Sequence, residues 1–379
     1  MGKDDLYEEP IYYPMHVKYL RCSECKKRYN KREIVYKCEC GGSLEIIYNY
    51  QEIKDRISWD ELQKRPFNHW RYREFFPLIE LSNIVSLEEG GTPLIKSKVY
   101  NNVLYKCEHL NPTGSFKDRG STLELSKAIE FKACEVVCAS TGNMGASVAA
   151  YSSRGGVKAT IYVPDETLDN KIKQIRAYGA DIRLIKGDYT RAMNLAKRAY
   201  EKSGTYLMGD YAYRGEGEKS VGFEIMDQTY PNFIISPIGN GTLIHGLWKG
   251  IKELKLVGLI NRLPRLIGVQ ARGCNTVVKA LNEDMDHIDP ILPKTKAEAI
   301  ACGDPLDGMS ALKALRESKG LGIAVSDKEI ETARRELARD GIFAELSGAA
   351  SLAGFKRLRD EIKDSKVLLL VTGHGLKDI

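Results

Sequence analysis

The chain has 379 residues, 43% hydrophobic and 28% charged, with a mean hydropathy of −0.34. At roughly 100–200 residues per domain that length predicts two or three domains with a cleft between them, and the composition excludes disordered, fibrous and membrane-spanning classes. Lys and Arg number 57 against 51 Asp and Glu, a surplus spread along the chain, so a nucleic-acid surface is not expected. The acidic start, Met1 to Pro10, lacks the basic and apolar regions of a signal peptide, and a cytoplasmic setting is expected. Nine cysteines, an odd number among cellular reductants, argue against a disulfide framework.

In chain order four cysteines come first, as Cys22-Ser-Glu-Cys25 and Cys38-Glu-Cys40-Gly41-Gly42. Two such knuckles gather four thiolates, as tetrahedral zinc requires, and the glycine pair frees the backbone of the second turn. Cys22, Cys25, Cys38 and Cys40 are therefore candidate ligands of a structural zinc in a zinc-ribbon-like segment over 1–50. The single residue between Cys38 and Cys40 narrows that turn, and the other reading is a metal-free ribbon whose reduced cysteines pack as small apolar groups. Neither reading makes the ribbon catalytic, because four cysteine ligands close the coordination sphere. Residues 51–90, with Phe67, Trp70, Tyr72, Phe75 and Phe76, read as a helical connector.

From about Val103 short β-branched runs alternate with amphipathic helices. This is the pattern of parallel sheets with right-handed crossovers and ligands at the carboxyl ends of strands. Strands are expected at Val103–Cys107, Glu135–Ser140, Ala159–Val163, Ile182–Lys186, Phe233–Ser236, Leu266–Gln270, Gly322–Val325, Ile342–Leu346 and Val367–Thr372. A helix over Asp327–Asp340 opens on a capping box of Ser326 and Glu329.

Four loops at strand ends carry candidate chemistry. In Asn111-Pro112-Thr113-Gly114-Ser115-Phe116-Lys117-Asp118, Ser115 with Asp118 reads as a capping box that puts Lys117 in a first helical turn. There the helix dipole is expected to lower its pKa and favour a nucleophilic amine, against the commoner fate of a solvated lysine. Ser140-Thr141-Gly142-Asn143-Met144 follows a strand and opens a helix, a seat suited to a carboxylate. Gly239-Asn240-Gly241-Thr242-Leu243 lets the backbone wrap a phosphate at a helix N-terminus. Thr372-Gly373-His374-Gly375 puts a lone hydroxyl after the most apolar strand. Lysine nucleophile, carboxylate seat, phosphate cradle and strand-end hydroxyl together are what a pyridoxal phosphate enzyme needs.

On these residues the chain, from about His16 onward, resembles the threonine synthase family within the fold type II, tryptophan synthase β-like, pyridoxal phosphate enzymes. The resemblance implies an α/β fold of two parallel-sheet domains with a cleft between them, beside the N-terminal ribbon. Residues 91–225 would carry the Schiff-base lysine and a smaller mobile domain, and 226–379 the phosphate loop. It further implies that Lys117 holds pyridoxal 5'-phosphate and moves protons at Cα and Cβ, and that Asn143 bonds the 3' oxygen. Gly239, Asn240, Gly241, Thr242 and Leu243 would cradle the phosphate, and Thr372 would face the pyridine nitrogen. The substrate carboxylate would sit on Ser140, Thr141, Gly142, Asn143 and Met144. The implied reaction is conversion of O-phosphohomoserine and water to threonine and phosphate, by a homodimer acting on a small amino acid without nucleic-acid or membrane partners.

One stretch departs from the resemblance. Family members bind the leaving phosphate with a segment of the type NSxNPxRxEGQK, whereas this chain reads Met208-Gly209-Asp210-Tyr211-Ala212-Tyr213-Arg214-Gly215-Glu216-Gly217-Glu218-Lys219. Arg214 stands at the phosphate arginine, with Lys171 as a second candidate cation. Met208 and Gly209 remove an amide and a hydroxyl, each charged hydrogen bond being worth about 1.5–3 kcal/mol, and Asp210 adds a negative charge. The alternative reading is therefore β-replacement or β-elimination on O-phosphoserine, serine or a related amino acid. A catalytically silent binding protein of the same fold is a third. Tyr211 and Tyr213 are expected to fill space at a lost phosphate site.

Overall fold

The computed structural model describes residues 16–379 apart from Ile79, Thr141, Glu166, Leu168, Asp188 and Gly204. Its strands are β1 (Val17–Cys22), β2 (Arg28–Tyr29), β3 (Leu44–Tyr48), β4 (Leu94–Lys96), β5 (Val103–Lys106), β6 (Glu135–Ala139), β7 (Lys158–Pro164), β8 (Asp181–Ile185), β9 (Tyr206–Met208), β10 (Phe233–Pro237), β11 (Arg265–Ala271), β12 (Leu321–Val325) and β13 (Val367–Leu370). They form three sheets, ordered β2-β1-β3, β12-β11-β10-β13-β5-β4 and β8-β7-β6-β9. The first is antiparallel; the other two are parallel except for the β4 edge, which runs antiparallel to β5. Every residue of β10 (Phe-Ile-Ile-Ser-Pro) and β13 (Val-Leu-Leu-Leu) is buried. Helices cover both faces of such a sheet, so its central strands are continuous apolar runs rather than alternating ones.

The parallel α/β architecture is as expected, with local differences. Ile342–Leu346 is not a strand: Ala344 makes a single bridge to His374, and a helix, Leu346–Leu358, begins at Leu346. The run was apolar enough for a strand but too short to tell one from a buried helix start. β4 and β9, three residues each, have no readable period. The Ser326/Glu329 capping box is present. The Ser115/Asp118 box is not: the helix Lys117–Glu130 starts on Phe116, and the Asp118 carboxylate instead accepts from the Thr113 N–H at 2.7 Å, the Thr113 hydroxyl at 2.6 Å and the Ser147 hydroxyl at 2.6 Å. Those bonds tie the approach loop to the neighbouring helix, Asn143–Gly155.

The connector contains short helices, Tyr50–Lys54 and Trp59–Gln63, followed by 3-10 turns at His69–Phe75 and Leu81–Asn83. Phe75 lies 4.7 Å from Phe223, and His69 stacks on Phe76 at 4.4 Å. The cysteine ribbon is not an appendage. Its Leu20, Ile46 and Tyr48 belong to the same apolar core as Phe223, Leu247 and Ile251, and each such buried side chain is worth about 1.5–3 kcal/mol. Among the described residues no helix is long and apolar enough to cross a membrane.

Candidate functional site

Carboxyl ends of strands from both parallel sheets empty into one cavity of about 170 Å³. Lys117 enters it from the loop after β5, Ser140 and Gly142 to Met144 from the end of β6, Asp210 from beyond β9, Gly239 to Leu243 from beyond β10 and Thr372 from beyond β13. Ligands are expected at such a convergence, because strand ends leave loops and helix N-termini facing one crevice.

Lys117 is the first residue of its helix, with a side chain 18% exposed. Its Nζ lies 3.6 Å from Asp210 Oδ1 and 3.6 Å from Glu218 Oε1. Burial pulls its pKa down, but these two carboxylates outweigh burial and hold the ammonium above the ordinary lysine range. The lowered pKa expected from the helix dipole is therefore corrected: carboxylates at close range, Asp210 foremost, exceed a half-charge at the helix end.

The loop from Gly239 to Leu243 leads into the helix Thr242–Leu256, whose N-terminal position is Gly241 at φ +95°. A Cβ at Gly241 would meet the Asp307 carbonyl oxygen at 2.7 Å, and one at Gly239 the Ala299 carbonyl oxygen at 3.0 Å. The cradle is thus bare backbone facing a helix N-terminus, the form that receives a phosphate. Asn240 donates to Asp210 Oδ2 at 2.7 Å, and the buried Thr242 hydroxyl faces the Asp210 and Asp307 carboxylates.

Ser140 accepts from the N–H groups of Gly142 at 3.1 Å and Gly145 at 2.8 Å, so its oxygen fixes the turn that opens the helix Asn143–Gly155. Thr141 lies outside the described residues. Asn143 donates to both oxygens of Glu345, at 3.0 and 2.9 Å, while its own carbonyl oxygen is buried without a partner. Gly142, Met144 and Thr372 line the cavity, and the backbone carbonyl of Thr372 accepts from the Phe116 N–H at 3.1 Å.

The two expected phosphate cations stand elsewhere. Arg214 is fully buried and does not line the cavity; it donates to Glu124 at 2.6 Å, Gly209 at 3.1 Å, Ser121 at 3.3 Å and the Lys117 carbonyl at 3.4 Å. Lys171 lies behind the Gly142 turn, its ammonium 2.7 Å from Glu298, which lines the cavity. Tyr211 and Tyr213 do not line the cavity either: Tyr211 packs on Tyr36 at 4.9 Å, and Lys127 lies over Tyr213 at 5.2 Å.

Glu345, Ser347 and the segment from Glu298 to Cys302 line the cavity without having been singled out. Burial pushes the Glu345 carboxyl up to about 7, even though the Asn143 amide opposes the shift. Reading Ile342–Leu346 as a strand hid it; Glu345 is in fact the residue that caps the start of another small-residue helix, Leu346–Leu358. Glu218, whose carboxyl burial likewise pushes up to about 7, was not singled out in the sequence.

In the ribbon the sulfurs of Cys22, Cys25, Cys38 and Cys40 lie within 4.8 Å of one another, with Cys22–Cys40 and Cys25–Cys38 at 3.5 Å. A tetrahedron with Zn–S of about 2.3 Å has edges of about 3.8 Å, so this donor set fits a zinc ion.

Comparison with known proteins agrees with this geometry. The family described as pyridoxal-phosphate dependent enzyme matches residues 85–373. Threonine synthase of Methanocaldococcus jannaschii is 43% identical over 374 residues, covering 94% of this chain and 92% of that one. Threonine synthase of Methanosarcina acetivorans is 38% identical over 377 residues, covering 95% and 92%. Among solved structures, a serine racemase from Dictyostelium discoideum superposes with a TM-score of 0.64 at 25% identity, over 75% of this chain and 92% of that one. A maize serine racemase, at 24% identity over 75% and 88% with a TM-score of 0.65, shares the fold.

Proposed function

Because the chain belongs to the threonine synthase family of pyridoxal-phosphate dependent enzymes, we propose that it converts O-phosphohomoserine and water to threonine and phosphate. The observation that carries the reading is the convergence of Lys117, the bare Gly239–Leu243 cradle and Asn143 on one cavity. The residues fit the cofactor: the cradle has no room for side chains at Gly239 or Gly241, and the buried Asn143 carbonyl lacks a partner. Lys117 would hold it, Gly239, Asn240, Gly241, Thr242 and Leu243 its phosphate, Asn143 its ring oxygen and Thr372 its ring nitrogen. Bound there, pyridoxal phosphate supplies an electron sink for negative charge developing on the substrate.

The chain's own groups do the rest. The N-terminus of the helix Asn143–Gly155, with Ser140, Thr141, Gly142 and Met144, seats the substrate carboxylate at the positive end of the helix. Lys117, freed when substrate arrives, takes one proton from Cα and one from Cβ and, after phosphate has left, delivers one to Cγ and one back to Cα, while water adds its hydroxyl at Cβ and its remaining proton leaves with the phosphate. A neutral hydroxyl at Thr372 does not fix a proton on the ring nitrogen, which favours elimination and replacement over transamination. Lys171 does not line the cavity and is paired with Glu298 at its wall, so it would serve the leaving phosphate only by exchanging that partner. Arg214, committed to Glu124, supports the Lys117 wall from behind. Two further parts of the reading are a homodimeric working unit, which a sizing measurement checks, and a cytoplasmic setting.

The test is phosphate release by the cofactor-loaded protein from O-phosphohomoserine and O-phosphoserine in parallel, with products identified by mass spectrometry. Threonine from the first substrate is expected. Phosphate and pyruvate from the second alone would assign the site to β-elimination instead.

A further inference from the structure

A second cavity, of about 460 Å³, shares no lining residue with the catalytic one and meets it at Lys171. That lysine lines the second cavity, while its ammonium lies 2.7 Å from Glu298 in the wall of the first. Three segments build the space: His109 to Gly114 after β5, the helix Asp169–Ala177, and the 3-10 turn Gly375–Asp378 with His374 before it. The turn is tied to both neighbours. The His374 N–H donates to the Gly114 carbonyl at 2.9 Å, and the Asn170 amide to the Lys377 carbonyl at 2.7 Å. Lys377, only 6% exposed, is thereby folded into the wall, where its Nζ donates to Gln174 Oε1 at 2.8 Å and lies 3.9 Å from where a Cβ on Gly114 would be.

A buried ammonium ordinarily has a carboxylate against it, because burying an unpaired charge is costly. The carboxylates that face Lys377 are Glu345, Asp118 and Asp378. Each is engaged elsewhere: Glu345 accepts from Asn143, Asp118 from Thr113 and Ser147, and Asp378 from the Leu346 N–H at 2.7 Å. Among the described residues no carboxylate pairs directly with Lys377, and the neighbouring cation, Lys171, has Glu298. Burial accordingly pulls the Lys377 ammonium below the ordinary lysine range. Two histidines line the same space, their rings 5.7 Å apart. His374 Nδ1 accepts from the Leu376 N–H at 3.2 Å, which leaves the ring hydrogen on Nε2 as a donor. His109 is 4% exposed, and its buried Nδ1 has no partner.

We propose that this cavity is a second anion site, taking a free tetrahedral oxyanion of the phosphate class, with Lys377 supplying the charge and His374 a hydrogen bond. Such an ion brings the missing negative charge and accepts from more than one direction at once. The site stands apart from the cofactor's phosphate cradle and from the seat of the substrate carboxylate. Binding there does not depend on what the catalytic cavity turns over. On the reading given above the same ion is the reaction's product, so phosphate released in one cavity has a binding site beyond the wall that holds Lys171.

The experiment is equilibrium dialysis of radiolabelled inorganic phosphate against the pyridoxal phosphate-loaded full chain, in which the cofactor's own phosphate fills the Gly239 to Leu243 cradle. Saturable binding is expected in the wild type and at least tenfold weaker binding in K377M, with sulfate competing and chloride at equal ionic strength failing to compete. No saturable binding, equal binding in K377M, or equal displacement by chloride overturns the proposal. Melting temperature guards against a folding fault in the variant. Phosphate is expected to raise it in the wild type and not in K377M, and K377M without phosphate is expected to be at least as stable as the wild type, because methionine removes an unpaired buried charge. Earlier melting of K377M in phosphate-free buffer would make Lys377 a structural partner of Gln174 and would overturn the proposal as well. None of these readouts uses an amino-acid substrate, so a wrong substrate assignment leaves them standing.

Discussion

Arg214 shows how far a residue's type can be separated from its place. Its position in the sequence suggested a ligand for the leaving phosphate, but its guanidinium is buried on Glu124. Removing one partner of a buried pair leaves an uncompensated charge, so Arg214→Ala is expected to lose about 3–5 kcal/mol of stability in denaturant unfolding. A folded variant of unchanged stability with a raised KM would instead make Arg214 a substrate ligand. Glu345 carries a pH prediction. Its folded-state carboxyl titrates at about 7, above the ordinary value of roughly 4.3. The folded chain therefore binds that proton more tightly than the unfolded chain. The resulting stability is complete below the unfolded value and is lost as pH rises through the folded one. Glu124 and Glu218 are raised to about 7 as well, so E345Q is expected to flatten, without abolishing, the fall in melting temperature of the cofactor-free protein between about pH 5 and 8. Equal slopes in variant and wild type would contradict it. Lys117, Asn143 and Thr372 were legible because each sits in a loop whose glycines and prolines announce a strand end. The Lys117 protonation bias was not, because it depends on Asp210 and Glu218, roughly ninety to a hundred positions away in the chain.

At the scale of elements, the loop Gly239 to Leu243 was readable because a wholly apolar strand, two glycines and a helix start are local signals. Its tightness comes from elsewhere: the carbonyls of Ala299 and Asp307 press on it from segments with no readable period. Gly241 combines φ +95° with only 2.7 Å to the Asp307 oxygen, so alanine there meets both backbone strain and a clash. Gly241→Ala is expected to weaken pyridoxal phosphate binding at least tenfold, measured by absorbance titration, while the melting temperature of the cofactor-free protein moves little if the loop yields locally. Unchanged affinity would separate this loop from the cofactor phosphate. The strand expected at Ile342–Leu346 failed for a physical reason: an apolar run that short is equally the entry to a buried helix, and the pairing partner that decides between them is His374, far along the chain.

At the scale of the whole molecule, the ribbon is joined to the rest by its core and by polar ties. Tyr48 donates to Glu216 at 2.6 Å, Lys249 reaches the Ile46 carbonyl at 2.9 Å and the Leu207 N–H donates to Tyr36 at 2.9 Å. Purified protein is expected to carry about one zinc per chain, and chelation is expected to lower its melting temperature. Metal-free protein with full stability would support the apolar-ribbon reading. The parallel α/β plan could be read from strand and helix alternation, whereas the joint between ribbon and cavity wall could not, since no local pattern encodes a contact between Tyr48 and Glu216. The central claim, that this cavity eliminates phosphate from O-phosphohomoserine and adds water at Cβ by way of Lys117, is tested most directly by turnover in 18O-water. The account predicts threonine carrying one 18O and phosphate carrying none, because the carbon–oxygen bond breaks, with neither product formed by Lys117→Ala. Labelled phosphate together with homoserine would mean hydrolysis at phosphorus and would contradict it.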